Sequence, residues 1–134
     1  MRTRQHLLYT IAIVDDNHDV REALLGLLRS YGHVALVFDS AAALLASPAL
    51  EHCACIVSDV QMPDMNGLEM QAALQAAGRD TPLVFFTAFP DPAIRQRALD
   101  AGATCFLNKP FDVRALIACI GKAMDRQASC GKQA

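Results

Sequence analysis

Residues 55–67 read Cys-Ile-Val-Ser-Asp-Val-Gln-Met-Pro-Asp-Met-Asn-Gly, and this stretch decides the fold. The apolar run from Cys55 to Ser58 predicts a short buried strand, which the carboxylate Asp59 follows directly. A turn that contains Pro63 comes next, and Asn66-Gly67 then opens a helix. A strand that leads through a short loop into a helix is the repeating unit of a parallel sheet.

The same unit occurs five times along the chain. The other predicted strands are Leu8 to Val14, Val34 to Phe38, Leu83 to Thr87 and Thr104 to Leu107. Their continuous apolar character predicts that both faces of each strand are covered. Because crossovers between parallel strands are right-handed, the sequence predicts an α/β fold, a (βα)5 doubly wound five-stranded parallel sheet in a flavodoxin-like three-layer sandwich.

Apolar repeats and capping residues mark the helices between these strands. A repeat from Val20 to Tyr31 predicts the first helix, which Gly32 ends. A stripe that includes Leu116 and Ile120 predicts the last helix. The starts of three helices are predicted at capping side chains: Ser40, Asp91 and Asp112.

Length and composition limit the class of protein. The 134 residues are 53% apolar and 19% charged, so we expect one globular domain, residues 1–126, and not a disordered chain. Residues 127–134 carry no apolar stripe, and we interpret them as a disordered tail or a linker stump. The net charge of −2 offers no basic field for a polyanion, so nucleic-acid binding by this chain alone is not expected.

The cysteines and the apolar runs bear on where the protein works. Five cysteines, an odd number scattered through apolar segments, argue against a disulfide framework and for a reducing compartment. No apolar run approaches the roughly 20 residues of a membrane span, and no signal-peptide cleavage site follows the first run. We therefore expect a cytoplasmic protein without a membrane partner.

Polar side chains stand at or just after the ends of four of the predicted strands. They are Asp15 and Asp16, Asp59, Thr87 and Lys109. The carboxyl ends of parallel strands meet at one edge of the sheet, where ligands bind. Two carboxylates about 4 Å apart repel by roughly 4 kcal/mol at an effective dielectric constant of about 20, so three clustered aspartates require a cation. A set of oxygen ligands favours Mg2+.

These residue types favour phosphoryl chemistry. No glycine-rich phosphate loop follows the first strand and no GxxxxGK[ST] motif occurs, which disfavours nucleotide binding and favours a single small anion. Asp59, after the central strand, is the predicted nucleophile that attacks a phosphoryl group. Lys109 would supply a positive charge for the phosphoryl oxygens, and Thr87 would supply a hydroxyl donor.

In combination, the motifs resemble the receiver domain of two-component response regulators over almost the whole chain, from about Leu8 to Met124. The segments that carry the resemblance are Asp15-Asp16, residues 58–67, Thr87-Ala88, Ala101-Gly102-Ala103 and residues 106–111. Residues 58–69 are most similar to receivers that precede a LuxR-type helix-turn-helix output domain. No such domain is present in this sequence, so we expect either a stand-alone receiver or a fragment of a longer regulator.

The resemblance implies a phosphoacceptor that assists its own phosphorylation and dephosphorylation, and not an enzyme. Asp59 would accept a phosphoryl group from the phosphohistidine of a sensor histidine kinase or a phosphotransfer protein. Asp16, Asp59 and the main-chain carbonyl of Gln61 would bind Mg2+ directly, and Asp15 would act through a bound water. Lys109 would contact the phosphate.

The resemblance also implies a cis bond between Lys109 and Pro110, and a conformational switch. Phosphorylation would draw the Thr87 hydroxyl inward, and the Phe106 ring would follow it. Because Phe106 stands where the family often has tyrosine, the switch would report by ring burial alone. The surface of the fourth helix, the fifth strand and the fifth helix would then control an output, expected to be transcription, or a partner such as a second copy of the chain. Its residues include Ile94, Arg95, Ala98, Phe106 and Lys122.

Two other functions remain open. A pseudo-receiver would bind partners without phosphorylation, although such proteins usually lack one of the five site positions and none is lacking here. An aspartate-nucleophile phosphatase shares the carboxylates, Mg2+, a hydroxyl and a lysine, but it places its nucleophile in a D-x-D motif at the first strand. The residues also have ordinary structural explanations: Asp15 and Asp16 as caps of the first helix, Asp59 as a turn former, and Lys109 as a solvated lysine.

Overall fold

The structure, a computed structural model, describes residues 10–89, 91–110 and 112–133, with side chains up to residue 125. Within these ranges, five strands form one parallel sheet in the order β2-β1-β3-β4-β5. The strands are β1 (Thr10–Val14), β2 (Val34–Phe38), β3 (Cys53–Asp59), β4 (Leu83–Thr87) and β5 (Cys105–Asn108). The chain passes outward from β1 to β2 and then builds from β3 to β5 in the other direction, so the predicted doubly wound fold is confirmed.

Helices follow the strands in the described chain, and the predicted caps are confirmed. The helices are α1 (His18–Ser30), α2 (Ala41–Ala46), α3 (Gly67–Ala76), α4 (Pro92–Asp100) and α5 (Val113–Gln133), with a 3-10 helix at Pro48–His52. Side-chain oxygens of the three capping residues accept first-turn N–H groups at 3.0, 2.9 and 3.1 Å: Ser40, Asp91 and Asp112. Gly32 follows α1 with a φ of 85°, a left-handed conformation that glycine adopts at little cost.

Two apolar clusters fill the space on the two faces of the sheet. On one face, α1 and α5 cover the sheet, and the buried Leu28 and Leu116 share a cluster with Ile13. On the other face, α2, α3 and α4 cover it, and Leu44 and Met70 are buried there. Every residue of β1, β3 and β4 is buried, so the positions of the side chains at their carboxyl ends are fixed by close packing. None of the described helices is long and apolar enough to cross a membrane.

The strands differ from the prediction in coverage and in length. Three apolar residues of β2 are 37–43% exposed: Val34, Leu36 and Val37. The prediction that both faces of every strand are covered is therefore wrong for β2, because it is an edge strand and an apolar run does not reveal lateral position. Strand β3 begins two residues earlier than predicted, and Asp59 is its last residue. The predicted start of β1 at Leu8 lies outside the described residues.

Two further predictions require correction. Helix α5 continues to Gln133, so residues 127–133 are helical and not disordered; residues 123–128 are mostly good helix formers, and a helix end needs no apolar stripe. That residues 127–134 form a linker stays a prediction.

Cys105 and Cys119 form a disulfide between β5 and α5, although the odd cysteine count argued against one. The two residues meet because both pack in the apolar cluster between α5 and the sheet. The spacing of the cysteines in the sequence does not reveal that β5 and α5 pack together there.

Gly67, the first residue of α3, is a point of close contact between that helix and the sheet. A Cβ atom at this position would lie 2.8 Å from Phe85 Cε1 and 3.0 Å from Val60 Cα. We expect Gly67→Ala to lower the free energy of unfolding by about 1–3 kcal/mol, because a backbone and a buried ring yield only at a cost. Urea denaturation followed by circular dichroism measures the change.

Gly26 in α1 provides the matched control. Nothing outside its own helix backbone lies within 4 Å of a Cβ built there. Glycine inside a helix costs roughly 0.5–1 kcal/mol relative to alanine, so Gly26→Ala is expected to raise the free energy of unfolding by this amount. A Gly67→Ala variant as stable as the wild type would contradict the packing argument.

Candidate functional site

Three carboxylates meet at the carboxyl edge of the sheet. Asp15 and Asp16 follow β1, and Asp59 ends the neighbouring strand β3. One carboxylate oxygen from each residue lies within 4.8 Å of the other two. Asp15 and Asp59 are buried, whereas Asp16 is exposed, so the cluster opens to solvent on the side of Asp16.

Lys109 brings an ammonium group to the two buried carboxylates. It follows β5, and its Nζ lies 3.2 Å from Asp59 Oδ2 and 3.4 Å from Asp15 Oδ2. The same Nζ lies 4.8 Å from the centre of the Phe86 ring on β4. The ring therefore supports the lysine by a cation–π contact along its path to the carboxylates. The bond from Lys109 to Pro110 is cis, as predicted.

Backbone groups hold the two buried carboxylates in orientation. The Asn17 N–H donates to Asp15 Oδ1 at 2.8 Å, and the Gln61 N–H donates to Asp59 Oδ1 at 3.0 Å. Each carboxylate thus has one oxygen held by the loop that follows it and the other next to Lys109. Asp59 accepts the Gln61 N–H in the turn with one oxygen and contacts the Lys109 ammonium with the other. A structural role of Asp59 in the turn therefore does not exclude a chemical role.

Opposing effects act on the pKa of Asp15. Burial has the largest effect and raises the pKa of Asp15 above its usual value of 3.8, and the negative charge of Asp59 raises it further. The Asn17 N–H and the charge of Lys109 lower the pKa, but they do not offset burial. The folded protein therefore disfavours the ionised form of this carboxyl group.

Thr87 and Phe106, the predicted switch residues, are both buried. Thr87 ends β4, and its hydroxyl oxygen accepts the Phe89 N–H at 3.1 Å. The Thr87 carbonyl accepts the Lys109 N–H at 2.7 Å, which connects the ends of β4 and β5. The Phe106 ring is 8% exposed, with its centre 6.3 Å from that of Phe85. The aromatic ring of the predicted switch is thus already inside the protein in this conformation.

One alternative explanation and one expectation about individual residues are wrong. Asn17 caps α1, since its side chain accepts the Val20 N–H at 3.0 Å, so the capping explanation for Asp15 and Asp16 does not hold. Ala98, expected on the switch surface, is fully buried because it lies on the face of α4 that packs on the sheet.

Two further residues support the site, although their roles were not predicted from the sequence. The Arg21 guanidinium donates to the Asp15 carbonyl at 2.8 Å and so connects α1 to the end of β1. Phe86 supports Lys109. The sequence offers only weak signals for them: Arg21 lies in the first turns of a helix after an acid pair, and Phe86 directly precedes Thr87.

The residues present fit a hard divalent cation beside an anion. The carboxylates of Asp15, Asp16 and Asp59 offer only oxygen ligands, which is the donor set that Mg2+ prefers. Gln61, the fourth predicted ligand, is held beside Asp59 by its N–H. The solvent-facing side leaves room for water ligands, and Lys109 supplies a positive charge for anionic oxygens.

Comparison with known proteins identifies the class of protein that this fold and site define. Residues 11–121 match the family model described as the response regulator receiver domain. The chain therefore belongs to the receiver domains of two-component response regulators, and the resemblance seen in its motifs is confirmed.

Individual relatives are similar over the same region. The response regulator protein TmoT of Ectopseudomonas mendocina is 38% identical over 124 residues, covering 90% of this chain and 56% of that protein. The transcriptional regulatory protein FixJ of Azorhizobium caulinodans is 37% identical over 123 residues, covering 92% of this chain and 58% of that protein. The chain thus spans little more than half the length of these relatives.

Solved structures agree with this assignment. The crystal structure of FixJ-N has a TM-score of 0.80 and 33% identity, covering 87% of this chain and 94% of that chain. The structure of the response regulator StyR has a TM-score of 0.85 and 39% identity, covering 92% of this chain and 63% of that chain. Both similarities cover most of this chain.

The raised pKa of Asp15 predicts a pH dependence of stability. A carboxyl group whose pKa is higher in the folded than in the unfolded state binds its proton more tightly when folded, so stability falls as pH rises through the folded value. In metal-free buffer, we expect Asp15→Asn to melt at a higher temperature than the wild type at neutral pH. This difference in melting temperature should disappear as pH falls below 3.8, the usual pKa of an aspartate carboxyl group.

Asp80→Asn is the control, because Asp80 is an exposed carboxylate in the loop before β4, at the opposite edge of the sheet. We expect no gain in melting temperature from this change. A difference between the wild type and Asp15→Asn that stays constant over the whole acidic range would contradict the argument from burial.

Proposed function

We propose that this receiver domain accepts a phosphoryl group on Asp59, with Mg2+ bound beside it. The observation that carries the proposal is the position of Lys109, whose ammonium lies between two buried carboxylates and 3.2 Å from Asp59. A cation held in place next to a nucleophile neutralises the phosphoryl oxygens as the new bond forms, without further rearrangement.

The reaction would begin with a carboxylate oxygen of Asp59 attacking the phosphorus of a phosphohistidine. The new O–P bond forms as the P–N bond breaks, and the imidazole of the donor is the leaving group. Lys109 contacts the phosphoryl oxygens. Asp16, Asp59 and the main-chain carbonyl of Gln61 would hold Mg2+ directly and Asp15 through a water, and the bound ion would neutralise charge on the phosphoryl group. The chain would thus assist its own phosphorylation without being an enzyme in the usual sense.

The Thr87 hydroxyl is the proposed sensor of the phosphoryl group. It now accepts the Phe89 N–H, and movement toward the phosphoryl oxygens would exchange that bond for a new one. A phosphoryl group adds a charge of roughly −2 and three acceptor oxygens, which is enough to bias such a local change. Phe106 on the neighbouring strand β5 would follow and alter the surface of α4, β5 and α5.

The partners and the output are proposed from the family. Receiver domains typically interact with histidine kinases or phosphotransfer proteins, and we propose a partner of that kind here. FixJ is described as a transcriptional regulatory protein, and the chain covers 58% of it. We therefore propose control of transcription, through a LuxR-type output domain or a partner, and a phosphorylation-dependent homodimer through α4, β5 and α5. The expected location is the cytoplasm.

The two alternatives receive less support. A pseudo-receiver needs no nucleophile, yet the five expected positions all hold the expected residue types. The charged groups of four of them, Asp15, Asp16, Asp59 and Lys109, also meet at one place, with the carboxylate oxygens within 4.8 Å of one another and the ammonium 3.2 and 3.4 Å from two of them. An aspartate-nucleophile phosphatase would use a carboxylate at the end of β1. Here the isolated aspartate beside the lysine ends β3, and the acid pair at β1 is adjacent and lacks the D-x-D spacing.

Incubation with Mg2+ and acetyl phosphate is expected to add one phosphoryl group, measured as an increase in intact mass. Asp59→Asn should abolish the addition because the nucleophile is lost, and EDTA should abolish it because the cation is lost. Lys109→Ala should slow the addition by about 100-fold or more, since one preorganised charge is worth this much in a transition state.

Asp64→Asn is the matched control for Asp59→Asn. Asp64 is an exposed aspartate in the loop after β3, with a φ of 68° that asparagine also adopts readily. This variant should gain a phosphoryl group at the wild-type rate. A wild-type protein that gains no mass under any condition would contradict the proposal and favour the pseudo-receiver.

Phe89 predicts a long lifetime for the aspartyl phosphate. It stands two residues after Thr87, and its ring is 70% exposed. A bulky apolar side chain beside the phosphoryl group would hinder the approach of water. We expect Phe89→Glu to shorten the half-life of the phosphorylated form several-fold, measured by intact mass after removal of acetyl phosphate. Equal decay rates would remove this hypothesis.

A further inference from the structure

Outside the proposed phosphorylation site, the structure joins two cysteines that are distant in sequence. Cys105 is the first residue of β5, Cys119 lies in the second turn of α5, and their Cα atoms are 6.1 Å apart. The disulfide spans a sequence separation of 14 residues. Two residues of the proposed site lie inside the loop that it closes, the switch residue Phe106 and Lys109.

We propose that Cys105 and Cys119 form a reversible redox modification site. Its co-reactant is a low-molecular-weight disulfide of the glutathione class, and its oxidation slows phosphorylation of Asp59 by holding β5 against α5. The redox reaction does not depend on the function proposed above, whereas the effect on phosphorylation rests on that function. Disulfides in reducing compartments are mostly transient and redox-sensing, which agrees with the proposed cytoplasmic location.

Exposure favours this pair over the other described cysteines. Cys105 is partly exposed, which favours attack on a small disulfide from solvent, and Cys119 is 7% exposed directly beside it. Cys53 and Cys55 are buried, and burial raises the pKa of their thiols to about 11 and about 12. Very little reactive thiolate therefore forms at these two residues. They also belong to clusters on opposite faces of the sheet, so they do not pair with each other.

The reaction balances as two thiol–disulfide exchanges. The Cys105 thiolate attacks one sulfur of glutathione disulfide, forms a mixed disulfide and releases one glutathione thiolate. The Cys119 thiolate then attacks the Cys105 sulfur and releases the second glutathione thiolate. Two protein thiols are oxidised, one glutathione disulfide is reduced, and the two protons pass to the released thiolates. An excess of reduced glutathione reverses both steps.

The position of the disulfide connects it to the proposed switch. Phe106, which is proposed to move on phosphorylation, directly follows Cys105. The Lys109 N–H donates to the carbonyl of Thr87, the other residue proposed to move, so the end of β5 is bonded to the end of β4 where the switch begins. Helix α5 is anchored in the core by the fully buried Leu116. A covalent bond from β5 to this helix favours the conformation in which the bond forms. Oxidation therefore disfavours the shift and slows phosphorylation.

Equilibration of the full chain in glutathione buffers of different ratios tests the redox site. All samples carry Cys130→Ser, which removes a thiol outside the described side chains. After alkylation, intact mass should show a disulfide form that disappears as reduced glutathione increases. Cys119→Ala should accumulate a mixed disulfide with one glutathione at Cys105, whereas Cys53→Ala should behave as the parent protein. A disulfide that persists in every buffer, or thiols that stay reduced in every buffer, would overturn the proposal.

The rate of labelling by acetyl phosphate tests the coupling. The oxidised parent protein should be labelled more slowly than the reduced one by about threefold or more, the range expected for coupling between connected groups. The double variant Cys105→Ala/Cys119→Ala should be labelled equally in both buffers. Equal rates for the oxidised and reduced parent overturn the coupling. If a variant does not fold, the comparison of the oxidised with the reduced parent protein still tests the coupling.

The two proposals fail in distinguishable ways. A protein whose thiols titrate reversibly, but which gains no phosphoryl group in either redox state, refutes the function proposed for Asp59 and supports the redox site. A protein that is phosphorylated, but whose Cys105 and Cys119 do not respond to the buffer ratio, refutes the redox site and supports the phosphoacceptor.

Discussion

The site depends on one balance of charge, in which the buried carboxylates of Asp15 and Asp59 share the ammonium of Lys109. Two such carboxylates about 4 Å apart would repel by roughly 4 kcal/mol at an effective dielectric constant of about 20. The ammonium, 3.2 and 3.4 Å from their oxygens, offsets this repulsion. A third carboxylate, Asp16, still leaves an excess of negative charge when all three are ionised. That excess attracts a divalent cation, and the same ammonium is then available to an incoming anion.

The order of the strands makes this balance possible. Because β1 and β3 are neighbours, the carboxylates that follow them come together without any contact between distant loops. The lysine arrives from β5 and must pass the end of β4. The register places Phe86 opposite Asp59 and Thr87 opposite Asn108. The Phe86 ring thus lies under the ammonium of the lysine, and the Thr87 carbonyl accepts the N–H of the same residue. Strands buried on both faces keep these positions fixed.

Features that follow from local pattern could be predicted from the sequence, and features that depend on which elements become neighbours could not. Asp59 and Lys109 are visible as polar residues at the ends of aliphatic runs, and the helix caps are visible from residue type alone. The exposure of β2 and the Cys105–Cys119 pair depend on lateral position in the sheet and on the packing of α5. The support of Lys109 by Phe86 depends on register, which no spacing within one strand reveals.

The packing around Phe106 determines how a signal from the site would travel. Phe106 has no hydroxyl to exchange between surface partners, and its ring lies against Phe85 in the core. The Phe85 ring in turn approaches Gly67 so closely that a methyl group there would lie 2.8 Å away. Gly67 donates its N–H to the carbonyl of Val60, the residue after Asp59. The loop after the proposed phosphoacceptor is thus connected to β5 through one ring with little free space. Beyond the hydrogen bond that Thr87 would form with the phosphoryl group, the signal proposed here therefore travels by packing.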